Sequence, residues 1–138
     1  MVAARPKPIK SIFDRHYWEF ARRGELRLQR CEPCGTYRYP PAPVCPHCLS
    51  GAFEWNAVSG RGRVVSWTRF HRPYFPSIPV PYTVVSVETE EGPMLIGNLV
   101  GAGSDTPEFD MPVEAIFEPV SFDGEPWQLC QWRQANPK

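Results

Sequence analysis

Four cysteines constrain this chain more than anything else in it: Cys31-Glu-Pro-Cys34 and Cys45-Pro-His-Cys48 are two C-x-x-C pairs separated by ten residues. Two residues between paired cysteines turn the backbone tightly enough to aim both sulfurs at one ion, and four thiolates complete the tetrahedral shell that zinc prefers. Iron in the same four-sulfur set is the chemical rival. A closed shell has no open position for water or substrate, so the ion is expected to hold the fold and to do no Lewis-acid chemistry. His47 lies inside the second pair, but four sulfurs already fill the shell and its side chain is expected to face outward. No stretch approaches the roughly 20 apolar residues that span a bilayer, and the N-terminus lacks an apolar core with a small-residue cleavage site. The chain therefore reads as cytoplasmic, where reducing conditions favour metal over disulfides.

A small metal-stapled module needs little core of its own, which leaves most of the 138 residues for a second unit. Seventeen prolines argue against long helices and for short strands joined by stiff loops. Residues 1–10 are basic and aperiodic and are expected to order only against a partner. A helix should follow, capped by Ser11 with Asp14, showing Phe13, Tyr17 and Phe20 on one apolar face and stopped by Gly24. ELRLQR then alternates as a short strand leading into Cys31.

Beyond Gly60 and Gly62, the segments RVVSWTRFH, PYTVVSVETE, PMLIGNLV, MPVEAIFEPV and PWQLCQWRQ read as five strands. Val113, Ala115 and Phe117 alternate with Glu114, Ile116 and Glu118, the pattern of an antiparallel sheet with one buried face. Five such strands without crossover helices predict a small barrel, of which the OB-fold is an example. The expected fold is mostly β: an N-terminal arm and helix over 1–24, a rubredoxin-like zinc ribbon over 25–58 and a five-stranded OB-fold barrel over 59–138.

Charge is unevenly placed. Residues 1–72 hold thirteen of the fifteen Lys and Arg and five of the fifteen acids, a net of +8, and the remainder carries −8. Either the halves neutralise each other in the fold, or the molecule is electrically two-faced toward a partner.

The connection HRPYFPSIPVP and the strand before it crowd Trp67, Phe70, His71, Tyr74, Phe75 and Tyr82 beside Arg69 and Arg72. Aromatics on a stiff loop lose little freedom on docking, so Trp67, Arg69, Arg72, Tyr74 and Phe75 are candidates for a partner or ligand contact. Closing one end of the barrel is the alternative use for these rings. A nucleic-acid reading would suit a basic groove, but the last four strands are acidic, which argues against nucleic acid as a partner. Chemistry of the chain's own is not indicated: there is no Gly-rich phosphate loop, no GxSxG, no HExxH, and His16, His47 and His71 have no convincing carboxylate or nucleophile beside them. Cys130, between Leu129 and Trp132 on the last strand, reads as a small core residue.

In chain order, YWEFARRGELRLQRCEPCG, YPPAPVCPHC, WNAVSGRGRVVSWT and PYTVVSVETEEGPMLIGNLV resemble a family of bacterial and archaeal acyl-CoA-associated OB-fold proteins, in which a rubredoxin-like zinc ribbon precedes an OB-fold. The resemblance covers nearly the whole chain. It implies a non-catalytic accessory subunit of an acyl-CoA enzyme, notably a thiolase-like one, with hydratases and aldolases as further partners. The partner would supply the catalytic groups, while this chain would bridge subunits and help hold the CoA arm of a thioester ligand. A stand-alone acyl-CoA-binding protein is the alternative. One departure stands out: family members often have a glycine just before Met111, where this chain has Asp110, which calls the turn into the fourth barrel strand into question.

Overall fold

The computed structural model describes residues 3–135. Three short strands form the first sheet, β2 (Arg27–Cys31), β3 (Tyr37–Arg38) and β4 (Phe53–Ala57), with β2 in the centre and both neighbours antiparallel. The second sheet holds five long strands, β5 (Arg61–Phe70), β6 (Tyr82–Thr89), β7 (Met94–Val100), β8 (Pro112–Phe122) and β9 (Glu125–Gln134), with the two-residue β1 (Ala3–Ala4) added beside β8. Pairing runs from β5 to β6, β7, β9 and β8 and back to β5, so the five expected strands close on themselves as an OB-fold barrel.

Alternation explains these strands. Along β6, Thr83, Val85, Val87 and Thr89 are buried and their neighbours are not, which commits one face to the barrel interior. The β8–β9 hairpin turns on Asp123 and Gly124, both at positive φ (51° and 81°), the conformation that two-residue hairpin loops require. Asp110 also lies at positive φ (63°). It meets the requirement that a glycine would meet there, since aspartate tolerates the left-handed region. Its amide donates to the Val64 carbonyl at 2.8 Å and its carboxylate pairs with Arg63, so the departure from the family pattern leaves the turn intact.

Helix α1 (Arg15–Arg22) is entered by the expected device. The Ser11 amide donates to Asp14 Oδ1 at 2.5 Å, while Ser11 Oγ accepts from the Asp14 amide at 3.3 Å, a reciprocal capping box. At the other end the Glu25 and Gly24 amides donate to Phe20 and Ala21, the paired bonds of a Schellman stop. The buried face differs from expectation. Tyr17 and Ala21 are buried, Trp18 and Phe20 are half-buried, and Phe13 is 39% exposed. Phe13 lies in the entering turn between Ser11 and Asp14, and the face that packs is set by the residues from Tyr17 on.

The basic arm also departs from expectation. Of the ten residues expected to order only against a partner, the first two lie outside the described ones. Ala3 and Ala4 pair in parallel with Val120 and Ser121 of β8, and Arg5 extends the contact through its amide to the Ser121 carbonyl (3.0 Å) and its side chain to Glu118. The open edge of β8 supplies the partner within the chain itself.

One hydrophobic cluster runs through the molecule. Leu26, Leu28 and Tyr17, from the ribbon end and the helix, join Val64, Val85, Val87, Leu95, Leu99, Val113 and Trp132 of the barrel. A second cluster, Val120, Phe122 and Trp127, sits on the opposite face of the β8–β9 hairpin beneath Trp18. Part of the charge asymmetry is answered inside the fold, since Arg5–Glu118, Lys7–Asp123, Arg22–Glu125, Arg61–Glu90 and Arg63–Glu88 each join a basic first-half residue to an acid of the second half. Neutralisation is the better of the two readings of that asymmetry.

Candidate metal centre and exposed aromatic loop

Two knuckles of matching design bring the four cysteines together. In the first, the Cys31 amide donates to Thr36 and the Gly35 amide to Cys31; in the second, the Cys45 amide donates to Ser50 and the Leu49 amide to Cys45, all at 2.8–2.9 Å. Each turn needs a residue at positive φ directly after its second cysteine, Gly35 at 75° and Leu49 at 67°. Glycine adopts that conformation freely and leucine does not.

The four Sγ atoms lie within 4.8 Å of one another, with Cys31 and Cys48 at 3.4 Å and Cys34 and Cys45 at 3.6 Å. A tetrahedron with Zn–S bonds of about 2.3 Å has edges of roughly 3.8 Å, so the set fits zinc with little adjustment. Cys31 and Cys45 are buried, Cys34 and Cys48 are exposed, and His47 is exposed with its amide, not its ring, directed to Cys45 Sγ (3.3 Å). The thiols are not equivalent. The Thr36 hydroxyl, 3.2 Å from Cys34 Sγ, and the Thr36 backbone bring the Cys34 thiol down to about 6. At Cys31 a backbone bond from Cys34 favours the thiolate, but burial and the three neighbouring thiols outweigh it and push the group up to about 12.

The loop joining the two knuckles is held by two buried polar residues that the alternation pattern does not reveal. Gln29 exchanges two hydrogen bonds with Ala42, accepting from its amide at 2.8 Å and donating to its carbonyl at 3.1 Å. Arg38 donates to the same carbonyl and lies over the Phe53 ring.

At one end of the barrel, residues 71–77 are exposed throughout, and Tyr74 (65%) and Phe75 (48%) present their rings to solvent. Phe70 and Tyr82 stack at 5.0 Å at the base of this connection, and Tyr74 leans edge-on against Phe70. Arg72 is exposed and makes no ion pair among the described residues. Arg69 points back instead, donating to Thr83 Oγ1 at 2.7 Å, while Thr83 donates to the Ser104 carbonyl. Trp67 is partly exposed and packs at 4.7 Å on Phe109, itself 72% exposed. By register Trp67 lies on the other face of the sheet from Phe70 and Tyr82, so it and Phe109 form a separate exposed aromatic pair, and a lone ring between Glu108 and Asp110 gave no periodic signal by which to find it. Cys130 is half-buried, and burial pushes its thiol up to about 12, as suits a packing residue.

The fold and the cysteine geometry define a zinc-ribbon protein carrying an OB-fold barrel. Residues 18–54 match the family described as ChsH2, rubredoxin-like zinc ribbon domain, and residues 55–118 that described as ChsH2, C-terminal OB-fold domain. A probable enoyl-CoA hydratase alpha subunit of Thermomonospora curvata is 42% identical over 99% of this chain, which spans 38% of that protein's length. A DUF35 domain-containing scaffold protein of Pyrococcus furiosus is 31% identical over 72% of this chain and 74% of its own. A solved structure titled Ltp2-ChsH2(DUF35) aldolase superposes with a TM-score of 0.84 at 34% identity, covering 93% of this chain and 98% of that one. The chain belongs to the DUF35 family of zinc-ribbon and OB-fold proteins. Among the described residues no helix is long and apolar enough to cross a membrane.

Proposed function

We propose that this chain is a non-catalytic accessory subunit of an enzyme that acts on CoA thioesters. The observation that carries the reading is the likeness along nearly its whole length to a chain solved in an aldolase titled Ltp2-ChsH2(DUF35), joined by the likeness to hydratase alpha subunits. In this reading Cys31, Cys34, Cys45 and Cys48 hold one structural zinc, and the ion supplies rigidity, not chemistry. The arm and helix of 1–24 and the ribbon of 25–58 brace the barrel of 59–138, which presents Trp67, Arg72, Tyr74 and Phe75 to the catalytic subunit or to the CoA arm. Arg69 supports that surface from behind, through Thr83.

Two kinds of partner are in contention. The sequence resemblance points first to a thiolase-like subunit, whereas the names of the relatives favour a hydratase or an aldolase. Affinity capture of the chain from its native host, followed by mass spectrometry, separates them. A stoichiometric subunit active on CoA thioesters is the expected result. Recovery of the chain alone, with CoA bound tightly by the isolated protein, would replace the accessory reading with a stand-alone acyl-CoA-binding protein.

A further inference from the structure

The ribbon sheet ends on each side in a strand with a single neighbour, and the longer of these two is β4. Its register with β2 fixes where its backbone groups point. The Glu32 amide donates to the Ala52 carbonyl and the Val58 amide to the Leu26 carbonyl, and bonding alternates between those ends, so Ala52, Glu54, Asn56 and Val58 face β2. The amides and carbonyls of Phe53, Trp55 and Ala57 point the other way. Among the described residues those three amides have no acceptor, and of the three carbonyls only that of Trp55 is approached, by Arg27 Nη1 at 3.4 Å. Ala52, Glu54 and Ala57, along the same edge, are exposed. A row of alternating donors and acceptors is the template for one more strand. The chain uses that chemistry once already, where Ala3 and Ala4 pair with Val120 and Ser121 beside β8.

The side chains beside this edge determine what the added strand should carry. Phe53 and Trp55 share one face of β4, where Trp55 meets Phe53 edge-on at 6.2 Å, Phe20 at 5.8 Å and His16 at 6.2 Å. Phe20, Phe53 and Trp55 are each half-buried, so an apolar side chain laid against them would cover what is left of the rings. Arg23 and Arg27 both lie over the Phe20 ring and share one acid, Glu25, which leaves positive charge in excess. A neighbouring strand is therefore best matched by an apolar residue beside Trp55 and an acidic one toward the two arginines. A second copy of this chain would bring the same arginines, so charge favours a strand from a different protein.

We propose that β4 is a docking edge, to which an extended segment of the catalytic subunit adds as a fourth strand of the ribbon sheet, with an apolar side chain against Phe53 and Trp55 and an acidic one toward Arg23 and Arg27. The inference rests on the accessory-subunit reading and is independent of the exposed aromatic loop. Its test is amide exchange on the isolated chain and on the complex purified from the native host through a tag on this chain. In the complex the amides of Phe53, Trp55 and Ala57 should slow by about tenfold or more, while those of Glu54 and Asn56, already bonded to β2, should change little. Ala57→Pro removes one outward donor and sets a ring in its place without touching a bond to β2. It should weaken binding of the purified catalytic subunit by about tenfold or more, whereas Ala57→Ser should bind as the unsubstituted chain does. The alternating exchange pattern decides the matter even if the proline loosens the ribbon. If no subunit active on CoA thioesters accompanies the chain, the accessory reading falls and this inference with it. A complex in which the three amides exchange as freely as before, or full affinity of the folded Ala57→Pro chain, would overturn the docking edge alone. Slow exchange of the same three amides in the isolated chain, as pairing with a second copy would produce, would overturn it as well.

Discussion

The ribbon and the barrel solve the same problem with different means. In the barrel, each strand commits alternate residues to a shared interior and closes its edges against its neighbours, so order comes from many small contributions spread over the chain. In the ribbon, β3 is two residues long and the twenty residues from Cys31 to Ser50 bury few apolar side chains beyond the two inner cysteines. Order there depends on four sulfurs converging on one point. The two regions nevertheless share a boundary: Leu26 and Leu28, at the start of the ribbon, belong to the barrel's hydrophobic cluster, while Cys31 lies at the far end of the same strand. The difference teaches where the molecule should fail first, and under what treatment.

Removing the metal should have the largest effect. Structural zinc binding of this kind is worth on the order of 10 kcal/mol near neutral pH, and it is folding free energy. Chelation, or Cys45→Ser, should disorder residues 31–50 while the barrel persists with a lowered melting temperature, as followed by amide exchange. Acid should do the same. Ligating thiols must lose their protons, so the affinity falls as pH falls, and burial with the neighbouring thiols makes Cys31 costlier to ionise than Cys34, which the Thr36 contacts favour as thiolate. Loss of zinc should be monitored with a colorimetric chelator between neutral and mildly acid pH.

Trp132→Ala breaks the comparison from the other side. Trp132 is fully buried in the barrel, and its truncation should cost about 3–5 kcal/mol in denaturant unfolding without altering metal content. If zinc is lost together with the barrel, the two regions unfold as one unit.

The two knuckles allow a finer test, because they differ in one residue at the same backbone position. Leu49→Gly should relieve a left-handed leucine and raise stability by about 1 kcal/mol, while Gly35→Ala should lower it by about as much, since a methyl there is both strained and 3.3 Å from Arg30 Nη2. Thermal melts of the zinc-loaded proteins decide it.

The smallest effect on stability belongs to the loop. Tyr74→Ala with Phe75→Ala should change unfolding free energy by no more than about 0.5 kcal/mol, because both rings face solvent. The same pair should weaken binding to a catalytic partner by roughly 2 kcal/mol, about thirtyfold, in a surface-immobilised titration. Unfolding of the double variant, or full affinity for the partner, would remove these rings from the interface.

Much of this architecture was legible because it rests on local repetition. The C-x-x-C spacing, the period-two strands of the barrel and the Ser11–Asp14 box are all short-range patterns, and each produced the element it predicted. What escaped depends on contacts between distant segments. The arm pairs with β8 through two alanines, which carry no periodic mark, so nothing in residues 1–10 showed that their partner lay more than a hundred residues away. Phe13 has helical spacing from Tyr17 and Phe20 but precedes the turn that packs, whereas Ala21, which does pack, carries little hydrophobic signal. The packing of Phe109 on Trp67 likewise joins residues far apart in the chain. The charge asymmetry was visible at once, yet only the cross-chain ion pairs decided between its two readings.

The measurement that bears most directly on the account is elemental analysis of the purified chain combined with its amide spectrum before and after chelation. One equivalent of zinc is expected, with signals from Cys31 to Ser50 collapsing on chelation and those of Val85 and Val87 persisting. A folded chain containing well under one equivalent of zinc, or a ribbon whose signals are unmoved by chelation, would contradict it.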